Sequence, residues 1–263
     1  MTEQRAASAR VLAIANQKGG VGKTTTVINL ATSLALDGFR VLAVDIDPQG
    51  NLTSGLGLRG RRADAGTIYE ALLAEAAPER CLLATQVENL SLIPADRNLT
   101  GAEIELVSAP SREYRLRRLI DPLRGRFDCI FIDCPPSLGL LTLNALVAAD
   151  AVLIPLHCEY FALEGLADLV GTMRRVRSGL NPTLDIEGVL LTMYDERTNL
   201  GQLVARDVRE FFKEKVFNTV IPRNVRLGEA PSHGIPAVLY DAKSRGAAAY
   251  VALAKEMLAR HAA

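Results

Sequence analysis

A short stretch near the N-terminus combines lysines, glycines and threonines in the order that a phosphate-binding loop requires. Its residues are Lys18, Gly19, Gly20, Val21, Gly22, Lys23, Thr24 and Thr25. Glycines let the backbone fold around an anion, and a helix that begins at such a loop adds positive partial charge. We expect Lys23 to reach the β- and γ-phosphates of a nucleotide and the Thr24 hydroxyl to bind Mg²⁺.

The start of the loop departs from the usual pattern G-x-x-x-x-G-K-[ST]. Gln17 stands where that pattern has its first glycine, and an additional lysine, Lys18, follows it. Two ammonium groups are tolerated near one triphosphate only while each has an anionic partner. Because Lys23 serves the nucleotide of its own subunit, Lys18 is placed to reach a phosphate on a facing subunit. The alternative interpretation of the whole stretch is a glycine-rich turn.

Three aspartates follow apolar runs that have the character of buried strands. Asp45 and Asp47 close one run, and Asp133 closes the run over residues 129–132. The carboxyl ends of parallel strands form the ligand crevice of a sheet, so carboxylates there can hold the Mg²⁺ shell or position an attacking water. Asp133 ends a strand of the Walker B type and would bind Mg²⁺ directly or through water, with residues 135–139 as a γ-phosphate switch. For Asp45 and Asp47, charges that only cap the strand are the alternative.

Residues 18–25 resemble the deviant Walker A motif of the ParA/MinD group of P-loop ATPases. The resemblance implies ATP and Mg²⁺ as cofactors. It also implies that Lys18 crosses a nucleotide-sandwich dimer, that Asp47 activates the attacking water, and that Asp45 is a carboxylate beside the phosphate site. A later segment resembles the base-binding loop of the family and contains Pro222, Arg223 and Asn224. An ordinary strand end is the alternative for Pro222.

Basic side chains are concentrated between Arg197 and Arg226. This segment has seven basic and three acidic residues, whereas the whole chain has 30 Lys and Arg against 30 Asp and Glu. The helical periodicity of residues 200–215 predicts a buried stripe of Val204, Val208, Phe211 and Phe212. Three cations share another face and form a candidate nucleic-acid surface: Arg206, Arg209 and Lys213. A solvated helix face is the alternative.

Further stretches resemble the chromosomal ParA/Soj-type proteins, and the resemblance covers roughly residues 10–260. These stretches are residues 193–200, 221–227 and 229–234. In that subgroup, arginines at the positions of Arg197 and Arg226 are implicated in DNA binding, which would be to phosphates and therefore independent of sequence and weakened by salt.

The subgroup resemblance implies an ATPase for chromosome or plasmid partitioning with weak intrinsic activity. An ATP-bound homodimer would bind double-stranded DNA nonspecifically, and a ParB-type centromere-binding partner would stimulate hydrolysis and release. The protein would be cytoplasmic and nucleoid-associated, without a membrane partner.

Three other functions are alternatives for a chain with this phosphate-binding loop. A MinD-like membrane-cycling ATPase would carry a C-terminal amphipathic membrane helix, but residues 247–263 are dominated by alanine, which favours packing on the sheet. An electron carrier like the nitrogenase iron protein would need paired cluster cysteines, which the spacing of the four cysteines does not supply. A scaffold ATPase that positions another cargo would share every site residue and differ only in its partner.

Short apolar runs alternate with helical patterns along the chain and predict an α/β fold. Strands are expected over residues 11–15, 40–46, 129–132, 151–155, 188–192 and 219–221. Near-continuous apolar runs are typical of a covered parallel sheet, so we predict a single-domain, doubly wound, mostly parallel sheet with helices on both faces, of the P-loop NTPase type. Residues 55–65 are expected to be a loop and residues 66–126 mostly helix. We predict a flexible segment over residues 1–9 and an ATPase domain over residues 10–263.

The composition is that of an ordinary folded chain. Its 263 residues are 49% hydrophobic and 23% charged, which excludes a disordered, collagen-like or disulfide-scaffold protein. The zero net charge means that any nucleic-acid binding must come from a local patch. No signal peptide or membrane span is expected, because no apolar stretch reaches the required length of about 18 residues for a span.

Overall fold

A seven-stranded sheet forms the centre of the molecule. The computed structural model describes residues 8–73, 77–159 and 162–262, so most of the segment predicted to be flexible lies outside the described residues. The strands are β1 (Arg10–Ile14), β2 (Val41–Asp45), β3 (Leu83–Ala84), β4 (Leu90–Ile93), β5 (Cys129–Asp133), β6 (Ala151–His157) and β7 (Asp185–Thr192). Their order is β3-β4-β2-β5-β1-β6-β7, and every neighbouring pair is parallel except β3–β4.

Helices cover both faces of this sheet, which confirms the predicted fold class. In chain order they are α1 (Lys23–Leu36), α2 (Asn51–Gly55), α3 (Ile68–Leu72), α4 (Leu99–Glu105), α5 (Arg115–Ile120), α6 (Leu140–Ala148), α7 (Ala162–Gly179), α8 (Asn199–Phe212), α9 (Val225–Glu229), α10 (Ala237–Tyr240) and α11 (Arg245–Ala262). Side chains alternate along β1, so that Val11 and Ala13 pack with α5 to α8, whereas Leu12 and Ile14 pack with α1 and α11.

The parallel register brings the carboxyl ends of the central strands together. Asp45, the last residue of β2, lies opposite Asp133, the last residue of β5. Ile14, at the end of β1, lies opposite Asp133 from the other side. The loop that leaves β1 and the turn that leaves β2 therefore begin on either side of the same carboxylate.

The strand predicted over residues 219–221 is wrong. None of these three residues lies in a strand of the structure. The N–H of Ile221 donates to the carbonyl of Leu191 at 2.8 Å and its carbonyl accepts the Tyr194 N–H at 3.0 Å, while the flanking residues form isolated bridges, Val216 with Val189 and Pro222 with Tyr194. Between them, the Glu256 carboxylate accepts the backbone N–H groups of Asn218 and Thr219, at 2.7 and 2.8 Å. Because these donors are taken by a side chain of α11, they do not form a ladder with β7.

The prediction for residues 66–126 is partly wrong. Helices α3, α4 and α5 lie there, but so do β3 and β4, which extend the sheet beyond β2. Both strands are short, and Thr85 stabilises the turn between them by donating its hydroxyl to the carbonyl of Leu90 at 2.9 Å. Residues 56–66 form turns between α2 and α3, consistent with the predicted loop.

The two long C-terminal helices differ in how well their buried faces were predicted. On α8, Val204 and Val208 are buried as expected, but Phe211 is 71% exposed, so its assignment to the buried stripe is wrong. On α11, the face that carries Tyr250 and Met257 is buried in the core beside α1. No helix among the described residues is both long enough and apolar enough to span a membrane.

Candidate functional site

Hydrogen bonds to two strands hold the loop between β1 and α1 in place. Gly22, the residue before α1, has a φ of +87°, a backbone conformation that favours glycine. Thr192 at the end of β7 donates its hydroxyl to the carbonyl of Val21 at 2.8 Å. Asn16 accepts the backbone N–H of Lys18 at 3.0 Å and donates to the carbonyl of Pro155 at 2.8 Å. The loop is thus fixed to β6 and β7 at the carboxyl edge of the sheet.

Lys23 lies over this loop rather than pointing into solvent. It is 7% exposed, and its Nζ donates to the carbonyl of Lys18 at 3.0 Å. Burial lowers the pKa of Lys23, while the nearby carboxylates of Asp133 and Asp47 oppose that shift. A buried ammonium at a helix N-terminus, surrounded by loop N–H groups, can bind phosphate oxygens.

Thr24 and Asp133 form a pair of oxygen ligands beside the loop. The Thr24 hydroxyl donates to Asp133 Oδ2 at 2.7 Å. Asp133 is fully buried, and its Oδ1 has no hydrogen-bond partner among the described residues. Burial, and next the charge of Asp45, raise the pKa of Asp133 well above its usual range.

The unpaired carboxylate oxygen and the adjacent hydroxyl suit a hard cation such as Mg²⁺. Within the parts of the chain that the structure describes, no cluster of three histidine, cysteine or acidic side chains forms a complete metal site. The residues therefore fit Mg²⁺ that takes its remaining oxygen ligands from phosphates and water, as is usual for this ion.

Asp45 pins the turn that presents Asp47. Asp45 Oδ2 accepts the N–H and the hydroxyl of Thr53, at 2.9 and 2.7 Å, and its Oδ1 accepts the N–H of Asp47 at 3.1 Å. Burial raises the pKa of Asp45 to about 6. Asp47 uses one oxygen to accept the N–H of Gln49 at 2.9 Å, which fixes the direction of its carboxylate.

The side chain of Lys18 has a different partner from that of Lys23. Its Nζ forms an ion pair with Glu159, and the other carboxylate oxygen of Glu159 pairs with His157 Nδ1. The hydrogen bond from Lys18 lowers the pKa of Glu159, and burial lowers the pKa of His157. Sequence reasoning missed Glu159, although its place two residues beyond β6, at the same edge as the loop, is a signal that could have found it.

The segment proposed to switch with the γ-phosphate lies against the loop. A Cβ placed on Gly19 would be 3.8 Å from Pro136 Cβ, so the two segments lie side by side with room for little more than a methyl group between them. The carbonyl of Ser137 accepts the Thr142 hydroxyl at 2.6 Å, which joins this segment to the first turn of α6.

Pro222, Arg223 and Asn224 lie beside the end of β7. Pro222 forms a bridge with Tyr194, and Asn224 Oδ1 accepts the N–H of Arg226 at 2.9 Å, which caps α9. The positive charge of Arg223 acts on both His157 and Glu159, so this residue lies near the mouth of the loop.

The structure does not gather the candidate DNA-binding residues into one cluster. Arg206, Arg209 and Lys213 are exposed on or directly after α8, which packs on the α5–α8 face of the sheet. Arg226 lies on α9, whose Leu227 packs against the opposite core. Arg197 is 85% exposed and pairs with Asp195 at 2.7 Å.

The sequence of this chain is similar to a protein-family model and to named proteins over most of its length. A family model described as "AAA domain" matches residues 9–186. The chain is 56% identical to the chromosome partitioning protein ParA of Myxococcus xanthus, over 95% of this chain and 88% of that protein. It is 58% identical to the sporulation initiation inhibitor protein Soj of Bacillus subtilis, over 95% and 98% of the two chains.

Solved structures with the same fold include nucleotide-bound proteins. The structure of cobyrinic acid a,c-diamide synthase from Mycobacterium smegmatis with a bound ATP analogue and magnesium has a TM-score of 0.81, 42% identity, and covers 95% of this chain and 94% of that one. The cell division ATPase MinD of Pyrococcus furiosus has a TM-score of 0.79 and 30% identity, covering 95% and 98%.

Proposed function

This chain belongs to the ParA/Soj family of chromosome-partitioning P-loop ATPases, and on that premise we propose that it is a DNA-segregation ATPase whose ATP-bound dimer holds DNA. The observation that carries the proposal is that the two loop lysines have different partners. Lys23 lies over its own phosphate loop, whereas Lys18 lies at the mouth with Glu159 as its partner. A lysine at the mouth suits an anion brought by a facing subunit.

Within one protomer, the loop and its neighbours bind and orient the triphosphate. The N–H groups of Gly19, Gly20, Val21, Gly22 and Thr25 surround the phosphates, and Lys23 neutralises charge on them. Thr24 and Asp133 would hold Mg²⁺, which would supply positive charge beside the phosphate oxygens. The adenine base is bound by the segment beside the end of β7, through Pro222, Arg223 and Asn224.

Hydrolysis depends on the turn after β2. Asp47 orients the attacking water, and its carboxylate already has a fixed direction through the Gln49 N–H. Asp45 holds the turn through Thr53 and touches the reacting atoms only indirectly. The Lys18 ammonium of a facing protomer stabilises negative charge on the phosphates, so hydrolysis and dimerisation are linked.

The dimer binds the DNA backbone through exposed cations without reading its sequence. The contributing residues are Arg197, Arg206, Arg209, Lys213 and Arg226. Contacts of this kind give binding that weakens steeply with salt. A ParB-type partner accelerates hydrolysis and so releases the protein from the nucleoid. The MinD-like alternative is less favoured because the apolar face of α11 is buried in the core.

A DNA shift assay tests this function directly. The full chain is titrated onto double-stranded DNA with ATP, with ADP and without nucleotide, across a salt series, and its mass is followed by light scattering. We expect dimers and DNA binding with ATP alone. Lys18→Ala should still bind ATP but neither dimerise nor shift DNA; normal dimers of this variant would overturn the assigned role of Lys18.

Sedimentation with anionic liposomes and ATP tests the membrane-cycling alternative against DNA segregation. The alternative predicts that the protein pellets with the vesicles. Failure of the wild-type chain to bind DNA in any nucleotide state, with normal hydrolysis, would instead favour a scaffold for another cargo.

A further inference from the structure

The turn that follows α2 presents a cluster of arginines. Arg59, Arg61 and Arg62 fall within four residues, and we refer to residues 58–62 as the arginine turn. The N–H of Arg61 donates to the carbonyl of Leu58 at 2.9 Å, which closes the turn. The turn carries net positive charge even with the exposed Asp64 that follows it.

The three arginines have different surroundings. Arg62 pairs with Glu70 and, at 3.0 Å, with Asp96, so it anchors the turn. Arg59 and Arg61 are exposed. Across residues 8–73, 77–159 and 162–262, neither forms an ion pair with a carboxylate. Two cations are therefore available to an external anion, on a turn whose base is fixed.

A contact between two glycines fixes the arginine turn to the segment that follows α9. Gly57 and Gly234 both have positive φ, +77° and +66°. A Cβ on Gly234 would lie 2.6 Å from Gly57 Cα, so the two backbones touch. Gln86 adds a hydrogen bond to the carbonyl of Gly234 at 2.7 Å. The turn therefore has a set position relative to α9.

The same segment carries Arg226 eight residues before Gly234. At a helical rise of about 1.5–2 Å per residue, this separation is roughly 12–16 Å. Arg226 shares its guanidinium with Glu229 and Asp241, at 2.7 and 3.3 Å, so part of its charge is already neutralised. A DNA duplex presents one phosphate charge per about 1.7 Å of axis, so a surface of this length faces several phosphates.

From these observations we infer that the arginine turn is a second cationic contact for the phosphate backbone of double-stranded DNA, on the same surface as Arg226. The inference rests on the proposed function. A duplex fits better than a lipid surface because the apolar residue of the turn, Leu58, packs against the core beside α1 and is not available for insertion. Arg59 and Arg61 contact phosphates and read no base sequence.

The experiment measures DNA affinity of the full chain with ATP by fluorescence anisotropy, between about 50 and 200 mM salt. The test variant is R59Q/R61Q. The matched control is R118Q/R174Q, which removes two exposed arginines from α5 and α7 on the opposite face of the sheet. R226Q is the positive control, and R59K/R61K restores the charge. ATP turnover without DNA and the thermal midpoint should match the wild type in R59Q/R61Q, R59K/R61K and R118Q/R174Q.

We expect R59Q/R61Q to bind DNA about tenfold or more weakly, with a salt slope smaller by about 2 per protomer, since each phosphate contact contributes about 0.9. R59K/R61K and the α5/α7 control should keep the slope. Wild-type affinity of R59Q/R61Q beside a weakened R226Q would overturn the role of the turn and leave DNA binding intact. No DNA binding by the wild type would overturn the proposed function itself. Loss of binding to phosphatidylglycerol vesicles alone, with DNA affinity unchanged, would assign the turn to a membrane instead.

Discussion

Replacing Glu159 with Gln is expected to tighten the ATP-dependent dimer. In the isolated protomer the Lys18 ammonium pairs with Glu159, which also holds His157. A single ammonium cannot keep this partner and also reach a phosphate across a dimer interface. Forming the dimer therefore includes the cost of breaking the Lys18–Glu159 ion pair in both protomers, and Gln removes most of that cost while keeping the shape of the side chain.

The size of the effect follows from the exposure of the pair. The side chains of Lys18 and Glu159 are 34% and 44% exposed, so solvent screens their attraction. Ion pairs of this kind contribute about 0.2–1 kcal/mol each. Two pairs per dimer give about 0.4–2 kcal/mol, which corresponds to a dimer dissociation constant about 2- to 30-fold lower in Glu159→Gln.

Sedimentation velocity with ATP over a range of protein concentrations measures this constant. The comparison is made with Asp47→Ala present in every chain, so that hydrolysis does not remove the nucleotide. Glu164→Gln is the matched control, because Glu164 is an exposed glutamate at the start of α7 that makes no ion pair with a described residue. An unchanged or higher constant in Glu159→Gln, with the control at the wild-type value, would refute the competition. Combined with Lys18→Ala, the Glu159 change should have no further effect.

Three other substitutions test separate parts of the site. Asp47→Ala should keep ATP affinity but slow phosphate release and prolong DNA-bound dimers, because the water loses its orienting carboxylate; rapid turnover would contradict this. Lys23→Ala should weaken ATP binding by roughly 10- to 150-fold in calorimetry, the effect of about 1.5–3 kcal/mol for a charged hydrogen bond. Glu256→Gln should lower the free energy of unfolding by about 1–3 kcal/mol, because a neutral amide accepts the N–H groups of Asn218 and Thr219 more weakly than a carboxylate and loses the ion pair with Arg260. Burial opposes the shift, but hydrogen bonds from Thr219, Asn218 and Arg260 lower the pKa of Glu256 below its usual 4.5, so the difference in unfolding free energy is present above pH 4.5 and shrinks as pH falls below it.

The parts of the fold that the sequence predicts are those where local pattern and tertiary environment agree. The runs that became β1, β2, β5, β6 and β7 are apolar because both sheet faces are covered. Their carboxyl ends carry the predicted loop and aspartates, and the parallel register places Asp45 opposite Asp133. Knowing that the sheet is parallel was enough to expect these groups at one edge.

The remaining features depend on contacts between residues far apart in the sequence. The segment at residues 219–221 has the composition of a strand, but Glu256 on a later helix accepts the N–H groups of Asn218 and Thr219, where the strand would begin. Phe211 has the spacing of a buried residue, yet it lies next to the last residue of α8 and is exposed. Glu159 is an ordinary glutamate in the sequence and becomes part of the site only because β6 ends beside the loop. Spacing along the chain carries no information about such partners.

The charges around the loop give an electrostatic reason for the proposed contribution of a cation from a facing protomer. Asp47 and Asp133 lie close to the buried ammonium of Lys23, and Asp45 lies beside Asp133. Burial together with the mutual repulsion of these carboxylates raises the pKa of both Asp45 and Asp133. A triphosphate adds negative charge to this surplus. Mg²⁺ offsets part of it at Thr24 and Asp133, but the protomer's other loop cation, Lys18, is turned away toward Glu159. In the proposed dimer, the Lys18 of the facing protomer would neutralise part of the remaining charge, so ATP binding is expected to favour dimerisation.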